Sequence, residues 1–134
     1  MLHPKRQKYR KQFRGQMKGK AQSGNALAFG EMGLKALERS WITSQQIESA
    51  RKAVSHATKR MGKSWVRIFP DKPYTKKAAG SRMGGGKGDI AGYVAVVRPG
   101  KVILEITGVT KEIGHRALWL AARKLPIATK LIEK

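Results

Sequence analysis

No acidic residue interrupts the first 25 positions of this chain, while Lys5, Arg6, Lys8, Arg10, Lys11, Arg14, Lys18 and Lys20 all fall there. Eight cations among few large apolar side chains cannot bury enough surface to fold by themselves. Residues 1–25 therefore read as a basic arm ordered by RNA or DNA, and residues 26–134 as a single domain. Tyr9 and Phe13 lie among the cations, a mixture suited to neutralising phosphates while bases stack on rings. The plainer alternative for such a segment is a solvated tail.

The excess extends beyond the arm. With 29 Lys and Arg against 8 Asp and Glu in 134 residues, the formal net charge is +21. Charge of that density repels itself and weakens a compact state unless a polyanion neutralises it. Nucleic acid is the first candidate and an anionic membrane surface the second. No apolar run approaches the roughly 20 residues of a membrane span. The opening MLHPKRQKYRK has no apolar stretch after its cations, so no secretory signal is expected. The absence of cysteine removes disulfides, thiolate metal sites and cysteine nucleophiles.

From residue 28 the pattern becomes one that can fold. Ala28 to Ile42 reads as a strand or bent strand pair. Thr43 followed by Gln46 fits a capping box, and the helix it opens should run to about Met61, with Lys59 and Arg60 in the last turn and Gly62 as a left-handed cap. Ile47, Ala50, Val54, Ala57, Thr58 and Met61 share one side of its wheel, with Lys52, His56 and Lys59 opposite. Arg51, Lys52, Lys59, Arg60 and Lys63 thus form a second cationic group suited to phosphate. Ser64 to Phe69 is β-prone, and Pro70 and Pro73 bar a central strand from continuing. Tyr93–Arg98 and Lys101–Thr107 read as a strand pair about the Pro99–Gly100 turn. A last helix starts near Thr110, with Ile113, Ala117, Leu120, Ala121 and Leu125 on one side before Pro126 stops it. Residues 127–132 suit a closing strand.

Between the second strand block and Tyr93 lies a glycine-rich loop, residues 76–92, with Gly80, Gly84, Gly85, Gly86, Gly88 and Gly92 accompanied by Lys76, Lys77, Arg82 and Lys87. A phosphate-binding P-loop needs glycine six residues before Lys87 and a hydroxyl after it. Ser81 and Gly88 occupy those positions, so the motif fails twice. Gly86, Gly88 and Ala91 meet the loose dinucleotide pattern, but a strand is expected next, which leaves no helix terminus for a pyrophosphate. A flexible linker is the plain reading. Against it, glycines let backbone approach phosphate closely and Arg82 offers a planar donor fork.

Catalysis finds little support. His3, His56 and His115 lie in separate segments without metal-ligand spacing, and the acids are scattered singly, unlike the clustered acids of a metal-dependent nuclease. His115 and Glu112 are spaced as a surface pair. No metal and no cofactor are expected.

Several blocks are specific. Met1-Leu2-x-Pro4-Lys5-Arg6-x-Lys8-Tyr9-Arg10-Lys11, Trp41-Ile42-Thr43 leading to Gln46-Ile47-Glu48, Trp65 to Pro73, Arg82-Met83-Gly84 with Gly86-Lys87-Gly88, Pro99-Gly100-Lys101, and Ala121-Ala122 to Leu125-Pro126-Ile127 together resemble bacterial-type large-subunit ribosomal protein sixteen over nearly the whole chain. The resemblance implies an α+β fold of hammerhead α/β type: two helices against a mixed, mostly antiparallel sheet, with the arm and the glycine loop extending from it. It also implies a protein that is not an enzyme and that contacts 23S rRNA, A-site and P-site tRNA, and neighbouring large-subunit ribosomal proteins, in a cytoplasmic or plastid ribosome, with neither a membrane nor a small-molecule substrate among its partners. By matching positions, the arm lies in rRNA, and Arg82, Met83, Gly84, Gly86, Lys87 and Gly88 face tRNA near the peptidyl-transferase region. In some bacterial members the arginine matching Arg82 is hydroxylated. Two departures stand out: Gly85 replaces a Lys or small polar residue common in the family's loop, and Ala91-Gly92-Tyr93 replaces an acid followed by two aromatics. The rival expectation is a free-standing basic RNA-modifying or nuclease-like enzyme using the loop as a lid. A DNA-compacting protein is a third.

Overall fold

The computed structural model describes residues 2–134. In chain order its elements are β1 (Met32–Ala36), β2 (Ser40–Thr43), α1 (Ser44–Ala57), β3 (Lys63–Val66), β4 (Lys72–Lys76), β5 (Asp89–Val97), β6 (Val102–Thr107), α2 (Lys111–Ala122) and β7 (Thr129–Glu133). This is the expected α+β architecture with two helices. The strands form two sheets, one ordered β3-β6-β1-β7 and one ordered β2-β5-β4, with antiparallel pairing throughout.

The helix α1 begins where its sequence says it should. The Gln46 amide donates to Thr43 Oγ1 at 3.2 Å and the Thr43 amide to Gln46 Oε1 at 2.9 Å, the reciprocal capping box that satisfies two otherwise orphaned donors. Its end is earlier than expected. The helix stops at Ala57, not near Met61, because the Lys59 amide bonds the His56 carbonyl and the Arg60 amide reaches back to Ser55. That is a Schellman closure, with Lys59 in the left-handed position at φ 52° and Arg60 at 64°. Lys59, not Gly62, therefore takes the capping conformation. Met61 consequently leaves the helix and is exposed, whereas Ile47, Ala50, Val54 and Thr58 are buried as expected.

The buried face of α2 is also rotated from the expected one. Gly114, Ala117, Leu118 and Ala121 are buried, while Leu120 is only half-buried. The helix ends at Ala122, short of Pro126: the Lys124 and Leu125 amides close on the Ala121 and Ala122 carbonyls in three-residue turns, and Pro126 has no N–H with which to resume the ladder. The two helices pack on each other, and α2 lies against β1 and β7. Met32, Leu34, Leu104 and Ile106 point to the same layer by strand register and belong to the main core.

Two strand expectations are corrected. Tyr93–Arg98 and Lys101–Thr107 are not a pair: β5 joins β2 and β4, while β6 joins β1 and β3. The Pro99–Gly100 turn carries the chain from one sheet to the other. Similarly, β1 and β2 belong to different sheets. Pro73 lies inside a strand rather than ending one, and β4 is at the sheet edge, where a missing N–H is tolerated. The glycine run is thereby narrowed to the connection between β4 and β5, about residues 77–88, instead of 76–92.

Candidate nucleic-acid interface

Residues 2–30 contain no helix or strand, yet they lie along the domain at defined points. The Ala21 amide donates to the Pro99 carbonyl at 2.9 Å, and the Gly24 carbonyl accepts from Val102 at 2.8 Å. Gln7 Nε2 donates to the Asp71 carbonyl at 2.6 Å. The His3 ring meets Tyr93 edge-on at 4.7 Å, and Leu2 packs against the core. The domain thus supplies the surface that the arm's composition cannot. Lys5, Arg6, Lys8, Arg10, Arg14, Lys18 and Lys20 remain exposed, with Lys11 half-buried. Phe13 is 91% exposed and Tyr9 65%, so two rings stand open among the cations.

The start of the domain, just after the arm, is anchored by a buried carboxylate that sequence analysis did not single out. Glu105 on β6 is 0% exposed. Its Oε1 accepts from the amides of Ala28, Phe29 and Gly30 at 2.9, 3.0 and 2.9 Å, and Oε2 pairs with the Arg67 guanidinium. Burial alone pushes this carboxyl up; donation from Gly30, Arg67, Phe29 and Ala28 together outweighs it and holds the group below the usual glutamate range. Gly30 has no room for a side chain, since a Cβ there would lie 2.7 Å from the Ile106 carbonyl oxygen. Phe29 stacks on Trp65 at 5.8 Å, and the Arg67 guanidinium lies 5.2 Å from the Phe29 ring centre. No spacing rule links residues 28–30 with 67 and 105, so only their meeting in space reveals the cluster.

On α1 and the turn after it, four of the five expected cations are brought to one outer surface, with Lys63 beside it. Arg51, Lys52, Lys59 and Arg60 line a shallow depression with Ser55 and His56, and Lys63 shares a neighbouring hollow with Arg60. Arg51 is already engaged: its Nε lies 3.2 Å from Glu48 Oε2, and the guanidinium holds Glu48 below its ordinary range. The left-handed turn at Lys59 and Arg60 leaves both side chains exposed.

The glycine loop divides into a tip and a base. Gly84, Gly85 and Gly86 have φ of 90°, 77° and 91°, a backbone that side chains other than hydrogen rarely adopt. Met83 is 100% exposed and Arg82 is exposed beside it. Lys77 Nζ bridges to the Gly84 carbonyl at 2.9 Å. Lys87 belongs to the base: its Nζ donates to the Gln12 carbonyl and lies 5.8 Å from the Phe13 ring centre, while Lys11 Nζ reaches the Lys87 carbonyl at 3.4 Å. Arm and loop, 75 residues apart in sequence, therefore meet. A strand follows the loop, as expected, so the loop does not open a helix that could hold a pyrophosphate.

Other expectations fare differently. His115 pairs with Glu133 on β7 rather than with Glu112, and Lys111 Nζ adds a contact to Glu133 at 3.1 Å. His115 and then Lys111 lower the Glu133 pKa. Among the described residues no group of three His, Cys, Asp or Glu is placed to hold a metal ion, and no helix is long and apolar enough to cross a membrane.

Comparison with known proteins identifies the family. The family model for ribosomal protein L16p/L10e matches residues 4–132. A large ribosomal subunit protein uL16 from Thermosipho melanesiensis is 58% identical over 134 residues, all of this chain and 94% of the relative. The uL16 proteins of Kosmotoga olearia and Fusobacterium nucleatum are 58% and 57% identical over the same length, with 95% and 94% of their own chains covered. With residues 4–132 matched by the family model and relatives aligned over all 134 residues, the chain belongs to the ribosomal protein L16p/L10e family, a family of ribosomal proteins and not of enzymes.

Proposed function

We propose that the chain is a structural constituent of the large subunit of a bacterial cytoplasmic ribosome, binding 23S rRNA and contacting A-site and P-site tRNA, with neighbouring ribosomal proteins as further partners. The arm and the α1 surface hold rRNA phosphates through Lys5, Arg6, Lys8, Arg10, Lys11, Arg14, Lys18, Lys20, Arg51, Lys52, Lys59, Arg60 and Lys63, while Tyr9 offers a ring for a base. Arg82, Met83, Gly84, Gly86, Lys87 and Gly88 face tRNA and help shape the region where aminoacyl-tRNA is accommodated and peptide transfer occurs. The mechanism is neutralisation and positioning rather than catalysis. No cofactor takes part.

The observation that carries this reading is the acid-free arm, laid along the domain with seven of its eight cations exposed. A solvated tail would not need Gln7, Ala21 and Gly24 fastened to the domain. The exposed Arg82-Met83 tip supports the loop's part, because its backbone is set by three glycines rather than by burial.

Sedimentation of cell extract at high magnesium tests the reading. Stoichiometric migration with large subunits is expected. A soluble pool with RNA turnover would instead favour a free-standing RNA-modifying or nuclease-like enzyme. Deleting residues 1–20 is expected to weaken incorporation, and equal incorporation of the truncated and full-length chains would refute the arm's role.

A further inference from the structure

Where the arm crosses the second sheet it encloses a pocket of about 290 Å³, near the lower end of the range for ligand sites. Gln12 and Arg14 of the arm, Trp41 of β2, Lys72 of β4 and Lys87 at the loop base contribute to its wall, and no acid does. Lys72 Nζ donates to the Arg14 carbonyl and Lys87 Nζ to the Gln12 carbonyl. An ammonium has three donors, so each retains donors beyond the one the arm takes. The Arg14 guanidinium and the Lys72 ammonium lie 5.9 and 5.6 Å from the Trp41 ring centre, close enough for the ring to hold both cations at the rim. The Trp41 indole N–H is buried and has no hydrogen-bond partner among the described residues, a rare condition for a buried donor.

Three like charges brought together by the fold, with unmet donors and no carboxylate, describe a seat for a small, acceptor-rich anion. We infer that this pocket binds one phosphodiester unit of RNA, its phosphate held between Arg14, Lys72 and Lys87. The inference rests on the reading of the chain as an rRNA-binding protein and adds Trp41 and Lys72 to its binding residues. The pocket has its shape because the arm lies across β4. A seated phosphate therefore neutralises the repulsion that arm docking creates, and arm placement and RNA binding support one another. A free phosphate shares the chemistry but lacks the flanking nucleotides that the open rings of Tyr9 and Phe13 are placed to stack.

The test uses the full chain, its Arg14→Gln/Lys72→Gln variant and a Trp41→Phe variant. Tryptophan emission is followed during titration with hexauridylate and, separately, with inorganic phosphate. Hexauridylate is expected to change the emission of the parent, with the response lost in both variants, and inorganic phosphate to need at least tenfold higher concentration. Equal potency of inorganic phosphate would overturn the RNA assignment in favour of a free-anion site. Because Arg14 is on the exposed arm and Lys72 on an edge strand, the double variant is expected to melt with the parent. Its slope of log affinity against log salt on rRNA should become shallower by about 0.7–0.9, the contribution of one phosphate. An unchanged slope together with an unchanged emission response would overturn the pocket while leaving rRNA binding intact. Absence of rRNA binding by the parent itself would overturn the underlying reading instead.

Discussion

Replacing Glu105 with alanine removes the acceptor for three amides and strands a guanidinium in one step. The Gly30 amide that it strands is buried, and an unsatisfied buried donor costs about 1–3 kcal/mol. Arg67, 18% exposed, loses the carboxylate that offsets its desolvation. Breaking a buried pair by removing one partner costs about 3–5 kcal/mol in all, which we take as the expected loss. Unfolding entropy of about 2.1 cal/mol/K per residue over 134 residues amounts to about 0.28 kcal/mol per degree. The melting temperature, followed by circular dichroism, should therefore fall by about 11–18 °C. Glu105→Gln keeps an acceptor for the three amides and loses the charge and the oxygen that faces Arg67, so its loss should be smaller, about 1–3 kcal/mol. A double-mutant cycle with Arg67→Ala should give a coupling above about 1 kcal/mol. A Glu105→Ala protein within about 0.5 kcal/mol of the parent would refute the anchoring role.

Acid titration gives the same cluster a second test. The folded-state pKa of Glu105 is lowered, so its stabilisation is complete above the ordinary glutamate value of about 4.3 and is lost as pH falls through the lowered one. Glu105→Gln should lose less stability than the parent across that acidic interval; parallel curves would show that Glu105 does not carry it. Thr43→Ala, which removes one half of the capping box, should destabilise by about 1 kcal/mol in denaturant melts. Lys59→Gly relieves a left-handed lysine and should be neutral or stabilising by up to about 1 kcal/mol, while making rRNA binding less salt-dependent. Arg82→Ala and Met83→Ala alter only exposed side chains and should leave stability within about 0.5 kcal/mol. Arg82→Ala should leave subunit assembly intact and slow tRNA accommodation in a single-turnover assay; an unchanged rate would remove the loop from that role.

What could be read ahead of the structure was local. Thr43 and Gln46 are three residues apart and announce the start of α1; charge alone marks the arm; glycines mark the loop. The missed features depend on residues distant in sequence. Pro99-Gly100 looks like a hairpin turn, and nothing nearby says that β5 and β6 will enter different sheets. Gly62 is the natural candidate for a helix cap, yet hydrogen bonds to Ser55 and His56 close the helix three residues earlier on Lys59. In the wheel of α2, Leu120 and Leu118 are both apolar, and packing on α1 and β1 decides between them. Lys72 sits between Asp71 and Pro73 and resembles part of a turn until β4 places it beneath Arg14. Glu105, one acid in an apolar strand, shows its importance only when Arg67 and residues 28–30 reach it.

The salt dependence of binding to large-subunit rRNA reads phosphate clamping itself, because neutralised phosphates set its slope. If the arm and α1 together engage about ten phosphates, log affinity should fall with log salt at roughly −7 to −9. The chain lacking residues 1–20 should give a markedly shallower slope on the same RNA. A slope near zero for the full chain would contradict phosphate clamping as the way this protein works.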